Sequence, residues 1–309
     1  MKIAVLGAGG IGGYIGGRLA EAGHDVTLVA RGDHLSAIQS RGLTIESPLG
    51  DAHLPDIKAV QNIEDVGTAD FIFATVKLPD LDMIARQIPK LLTPRSRIIT
   101  LQNGIDAKSI VAKYVNPMIV AQGVIYLASY IKEPGIIASP GGKHQMLVDP
   151  LFGDQTMAAL FDVIDHTVAL DVTPVENSDK TVWSKFTAQA SIAGITALSH
   201  LNLGGVFASA EATGLLRALL SEAIAVANAK GIVMDDAHAD TVIELYSAQP
   251  AAQSSSLLVD IQRGKPTELA WLSGRVHQLG QELDIPTPTH STVWAALAPY
   301  KDGPPASRV

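Results

Sequence analysis

The chain has no cysteine. Disulfide scaffolds, thiolate nucleophiles and cysteine metal sites are excluded by that absence, and the composition fits a reducing compartment. Charge is sparse, at 17% of residues, and aromatics make up only 5%. With a formal net charge of -8 there is no basic excess for non-specific nucleic-acid binding. No uninterrupted apolar run reaches the length of a membrane span, because the apolar N-terminus is short and broken by glycines. No serine sits in a G-x-S-x-G elbow, and His144, His166, His200, His238 and His277 lack the HxxxH spacing of a metal site, so neither a hydrolase nor a metal is expected. What the chain does have is 47% apolar residues over 309 positions, enough for two domains with separate cores. A cytoplasmic protein, monomer or homodimer, is the expectation.

The most informative stretch is the first. Ile3 to Leu6 is an apolar run that enters the loop Gly7-Ala8-Gly9-Gly10-Ile11-Gly12, and an apolar-periodic segment with Leu19 and Ala20 follows. Strand, tight turn and helix in that order, with glycines at GxGxxG spacing, suit a dinucleotide pyrophosphate: Gly7 for the turn, Gly9 for close approach to the backbone, Gly12 for helix on strand. The helix N-terminus adds unpaired N–H groups and a positive dipole end. A second strand, Val26 to Ala30, ends in Arg31. A guanidinium there suits a 2′-phosphate and favours NADP(H), whereas Asp33 close by leaves NAD(H) open.

Farther on, Phe71 to Val76 is a continuous apolar run, the pattern of a buried parallel strand, and it ends in Lys77. Pro79 to Leu92 is helical by spacing, and Arg97 to Leu101 is a strand ending in Gln102-Asn103-Gly104. Lys77 and Asn103 thus fall at the carboxyl ends of strands, where open α/β sheets bind ligands. From Pro117 the texture changes to short β-rich runs that read as antiparallel strands or hairpins, then an amphipathic Leu151 to Thr167 and a last strand at Ala169 to Val172. Beyond Asn177 helices dominate: Ser178 to His200, Glu211 to Lys230, Ala237 to Ser247, Ser256 to Gln262, Thr267 to Leu283 and Thr289 to Leu297. The tail at Gly303-Pro304-Pro305 reads as mobile. The expected division is a Rossmann-type α/β domain over 1–172 and an all-helical domain over 173–309.

A carbonyl reductase needs a proton donor and groups to hold its substrate. Lys185 sits in a helix that is apolar nearly all round, with Gln189 and Ala193 on the same face. A lysine there is either functional, held by a partner or cavity, or snorkelled to the surface. In Ser254-Ser255-Ser256 and Thr267-Glu268 the hydroxyls either cap helices or receive a substrate carboxylate, and Glu268 could orient the lysine.

The stretches GAGGIGGYIGGRLAEAGHDVTLVAR, VKLPD, LQNGI, WSKF and SSLLVDIQRGKPTELAWLSGRVHQLGQELDIPTPT, in that order, resemble the ketopantoate reductase (2-dehydropantoate 2-reductase) family over essentially the whole chain. The resemblance implies a Rossmann domain joined to a helical domain. It also implies NADPH as cofactor and reduction of a 2-oxo acid to a D-2-hydroxy acid, 2-dehydropantoate to pantoate being the family's own case. By the same resemblance Lys185 is the general acid and Glu268 its acidic partner near the cofactor. Ser256 binds the substrate carboxylate, Asn103 lies near nicotinamide and substrate, Lys77 lies near the cofactor, and Arg31 reads the 2′-phosphate. Three positions depart from the family pattern, each an asparagine there: Gln189, Ala193 and Gln253. Those positions shape the substrate pocket, so another branched or aromatic 2-oxo acid, an NAD(H) enzyme, and a catalytically weak dinucleotide sensor are the alternatives.

Overall fold

The structure, a computed structural model, describes residues 1–164, 167, 169–235 and 237–305. His166 and the end of the Leu151 to Thr167 segment at residues 165 and 166 therefore lie outside the described residues. Contacts divide the chain into two compact units, Met1–Gln102 with Asp106–Thr181, and Asn103–Ile105 with Val182–Val309.

The first unit contains β1 (Lys2–Leu6), α1 (Gly10–Glu21), β2 (Asp25–Val29), α2 (Gly32–Arg41), β3 (Leu43–Glu46), β4 (Ala52–Leu54), β5 (Lys58–Val60) and β6 (Phe71–Ala74). After these come α3 (Leu78–Ala85), β7 (Arg97–Thr100), α4 (Ala107–Val111), β8 (Val120–Tyr126), β9 (Tyr130–Glu133), β10 (Ile136–Ala138), β11 (Gln145–Val148), α5 (Gln155–Ile164) and β12 (Asp171–Pro174). Eight strands form one sheet in the order β12-β11-β8-β7-β6-β1-β2-β5. From β8 to β5 every neighbouring pair is parallel, with Val5 opposite Leu28 on one side and Phe73 on the other. The strand order reverses at β1, and the crevice of such a sheet opens at the carboxyl ends on either side of that point.

Two local readings of this region need correction. The runs after Pro117 are not all antiparallel. β8 lies parallel to β7, β11 pairs antiparallel with β8, and β9 and β10 leave to join β3 and β4 in a second sheet. The signal for β8 was its burial pattern, buried from Val120 to Ile125 as a central parallel strand requires. The helix expected over Pro79 to Leu92 stops at Ala85, and a 3-10 turn follows at Ile88–Leu91. Pro89 has no N–H to return to Ala85, so the α-helix ends there.

In the second unit lie most of α6 (Ser178–Ser199), whose first residues belong to unit one, and then α7 (Leu203–Ala208), α8 (Ala210–Ala229), α9 (His238–Ser247), α10 (Ser256–Gln262), α11 (Ser273–Leu283) and α12 (Pro288–Leu297). α6 is apolar nearly all round, and that is why most of it is buried: Phe186, Ala190, Ile195 and Ala197 are at most 1% exposed, in one core with Leu219, Val276 and Val293. α12 starts at Pro288 and is capped from α8, where the Glu222 carboxylate accepts from Thr289 N at 2.7 Å and His290 N at 2.8 Å. His290 is buried and donates Nε2–H to Leu219 O at 3.0 Å, and burial pushes its pKa down to about 4. It is a neutral structural histidine.

Thr267 to Leu283 is not one helix: a 3-10 turn at Leu269–Trp271 precedes α11, and Leu272 breaks the path with ψ -105. α7, with two glycines, went unread in the sequence. Asn202 holds it by accepting from Gly205 N. Just before the tail, Thr267 N donates to Lys301 O at 2.8 Å, and Gly303 itself is buried. Among the described residues no helix is long and apolar enough to cross a membrane.

Candidate functional site

In the first unit the glycine loop links β1 to α1. Gly7 has φ +109, and a Cβ there would meet Val76 N at 2.9 Å, so only glycine makes the turn. Gly12 packs α1 onto its strands so closely that a Cβ would collide with Gly7 O and Thr75 Oγ1. Gly9 differs from both: beyond its chain neighbours, nothing among the described residues lies within 4 Å of a Cβ built on it, so its outer side is open. It is the N-cap of α1 and has no side chain to cap with, and the first helical bond is Gly13 N to Gly9 O at 2.7 Å. The N–H groups of Gly10, Ile11 and Gly12 precede that bond and point from the positive end of the helix dipole. An uncapped helix start with open space at its N-cap fits an anionic pyrophosphate.

Two residues that the sequence reading passed over hold this turn. Thr75 Oγ1 donates to Gly7 O at 2.9 Å, and Gln102 Nε2 donates to Ala74 O at 2.8 Å and Val76 O at 3.0 Å. A third, Ser129, lies over the helix start, where a Cβ on Gly10 would run into its carbonyl, and its own Oγ is buried without a partner among the described residues. A groove of about 570 Å³ runs from Gly7, Ala8 and Gly9 past Arg31 and Lys77. Arg31 is the extended N-cap of α2, and its Nη2 donates to Asp80 Oδ2 at 2.8 Å. Asp33, the carboxylate the sequence pointed to, is exposed in the first turn of α2 and is not part of the groove wall.

The second unit brings together a different set. Lys185 projects from α6, and its Nζ donates to Asn103 Oδ1 at 3.4 Å, although 82 residues separate the two. Burial pushes the Lys185 ammonium down from its ordinary 10.5 to about 8, while the Glu268 carboxylate acts in the opposite direction. Desolvation outweighs attraction here, and the lysine is thereby poised to exchange a proton near neutral pH. Glu268 makes no side-chain cap to the turn that follows it; Thr267 Oγ1 accepts from Leu269 N at 3.4 Å instead. One turn after Lys185 on α6, the Gln189 Oε1 is buried with no hydrogen-bond partner among the described residues, and Ala193, the next turn, is buried.

Ser256 is the exposed first residue of α10, and the cap is its neighbour: Ser255 Oγ accepts from Leu258 N at 3.2 Å. Thr196, buried in α6, donates to Ser255 Oγ at 2.6 Å, so the helix that carries Lys185 also sets where α10 begins. The capping role thus falls to Ser255, and the Ser256 side chain is left for solvent or a ligand.

Two family profiles match the chain: Ketopantoate reductase PanE/ApbA over residues 3–151 and Ketopantoate reductase PanE/ApbA C terminal over 177–301. The chain is 29% identical to a 2-dehydropantoate 2-reductase of Mesorhizobium japonicum, covering 96% of this chain and 97% of that one. Among solved structures it is similar to a PanE/ApbA family ketopantoate reductase from Ralstonia eutropha, with TM-score 0.89, 28% identity, and 97% and 98% of the two chains covered. D-mandelate dehydrogenase, determined with NADH and anilino(oxo)acetate, shares the fold at TM-score 0.88 and 21% identity, over 97% and 98% of the chains.

Proposed function

The chain belongs to the ketopantoate reductase family of oxidoreductases, and from that premise we propose that it reduces a 2-oxo acid to a D-2-hydroxy acid with NADPH, the first substrate to test being 2-dehydropantoate. The observation that carries the reading is Lys185: an ammonium held by Asn103, lowered to about 8 by burial and backed by Glu268. Such a group can hydrogen-bond a carbonyl oxygen and hand over a proton as that oxygen becomes an alkoxide, a contribution of about 10²–10⁴ in rate. Ser256, at the start of α10, offers its hydroxyl and the helix N-terminus to the substrate carboxylate. Asn103 orients Lys185 and reaches the substrate. The Gln189 oxygen, with no hydrogen-bond partner among the described residues, is an acceptor for a substrate hydroxyl.

The dinucleotide, when bound, supplies the hydride equivalent that the carbonyl carbon receives. Gly7 to Gly12 and the uncapped start of α1 take its pyrophosphate, Arg31 its 2′-phosphate, and Lys77 contributes positive charge to the same groove. A second reading is favoured by specific residues. Gln189 and Ala193 remodel the face beside Lys185, which suits a bulkier branched or aromatic 2-oxo acid. The Arg31–Asp80 pair, together with a structural neighbour determined with NADH, keeps NADH in play. Turnover of NADPH and of NADH with 2-dehydropantoate, 2-oxoisovalerate and phenylglyoxylate separates these readings. The proposal expects the highest kcat/KM for NADPH with 2-dehydropantoate. A higher value for an aromatic acid moves the substrate, and dinucleotide binding without turnover of any acid overturns the reductase reading.

A further inference from the structure

Arg31 does not present a bare guanidinium to the groove. Its Nη2 is already bonded to Asp80, a residue 49 positions away on α3, and both side chains line the groove that contains Gly9 and Lys77. The pair is open to a ligand, at 68% exposure for Arg31 and 42% for Asp80. Glu64, another acid of the wall, is instead turned to Lys90 at 3.5 Å, and Asp33 is outside the wall. Among the described residues, Asp80 is therefore the one carboxylate of the groove wall in contact with the arginine that would read the ribose substituent.

Resting on the dinucleotide reading of this groove, we propose that Asp80 is a specificity-determining residue that lowers discrimination between NADPH and NADH. Its carboxylate competes with a 2′-phosphate for the guanidinium donors and repels the phosphate's negative charge. The same carboxylate accepts a hydrogen bond from a free 2′-hydroxyl, as acids at this end of Rossmann sites do. A donor and an acceptor side by side can thus serve either cofactor. Selectivity then follows from how far the pair opens for the phosphate.

Calorimetric titration of the purified chain with NADPH and with NADH, without any 2-oxo acid, tests this apart from turnover. Asp80→Asn keeps the shape and removes the charge, and the affinity ratio should move toward NADPH by about tenfold, as expected for one charge near a phosphate dianion in a solvated groove. Asp33→Asn makes the same change in net charge outside the groove and should move the ratio by less than about twofold. An unchanged ratio in Asp80→Asn, or an equal shift in Asp33→Asn, overturns the proposal. If Asp80→Asn does not fold, Asp80→Ser is held to the same ratio. Failure of the native chain to bind either dinucleotide overturns the groove reading and this proposal with it, whereas binding without turnover leaves the Asp80 test intact.

Discussion

The groove of the first unit and the lysine cluster of the second are built from different materials. The groove is mostly backbone: a turn only glycine can make at Gly7, an open N-cap at Gly9, and a helix start whose N–H groups have no side-chain cap. The cluster is side chains, an ammonium, an amide and a carboxylate at residues 185, 103 and 268, and its main property is a proton affinity set by burial. The lesson is about failure. A backbone site is lost by adding a methyl group, and an electrostatic site by removing a charge.

The sharpest way to break the comparison is Lys185→Ala. If the cluster carries the chemistry and the groove only the cofactor, kcat falls by about 10²–10⁴ while dinucleotide affinity stays within about threefold. Steady-state kinetics beside a dinucleotide titration reads both. Normal turnover in the variant removes Lys185 as proton donor, and a parallel loss of affinity means that the two sites are not separable.

The contrast also explains what could be read from the chain. Gly7, Gly9 and Gly12 were legible because their chemistry is local, a strand, a turn and a helix in one run. Lys185 was legible as an anomaly, a charge in a helix that is apolar nearly all round. Asp80 was not, because what puts it on Arg31 is the return of α3 from β6, and the nearer Asp33 was the only carboxylate that spacing could suggest. Thr75, Gln102 and Thr196 escaped for the same reason: each is an ordinary polar residue whose value lies in hydrogen bonds to a distant segment. The direction of β8 was lost because glycine and proline nearby mimic hairpin punctuation. Its near-continuous burial was the stronger sign.

A smaller effect sharpens the account of the groove. Gly12→Ala places a methyl group into Gly7 O and Thr75 Oγ1, so α1 must lift from the sheet, costing about 1–3 kcal/mol of stability and weakening dinucleotide binding together with it. Gly9→Ala meets no atom of the described residues beyond its chain neighbours and keeps an accessible φ of -73, so its stability cost stays below about 1 kcal/mol, the loss of a better N-cap. Its methyl group nevertheless stands where a pyrophosphate would approach, and dinucleotide affinity should drop by about tenfold or more. Denaturant midpoints and titrations of the two variants give the answer. Equal loss of stability in both, or undiminished affinity in Gly9→Ala, shows that the open side of Gly9 is not where the phosphate lies.

The smallest effect tests the balance inside the cluster. Lys185 must be protonated to act as an acid, so kcat/KM for reduction should be flat at low pH and fall as pH rises through about 8. Glu268 raises the lysine's proton affinity while burial lowers it. Glu268→Gln removes the raising charge and keeps the shape, so the lysine gives up its proton more readily and the falling limb moves to lower pH. At pH 7 the variant then holds a smaller protonated fraction and a lower kcat/KM, and most of that loss is recovered by assaying at lower pH. A structural role for Glu268 would instead reduce kcat/KM at every pH with the limb unmoved. A limb that moves upward overturns the assignment, because loss of a carboxylate that raises the lysine's proton affinity can only move it down.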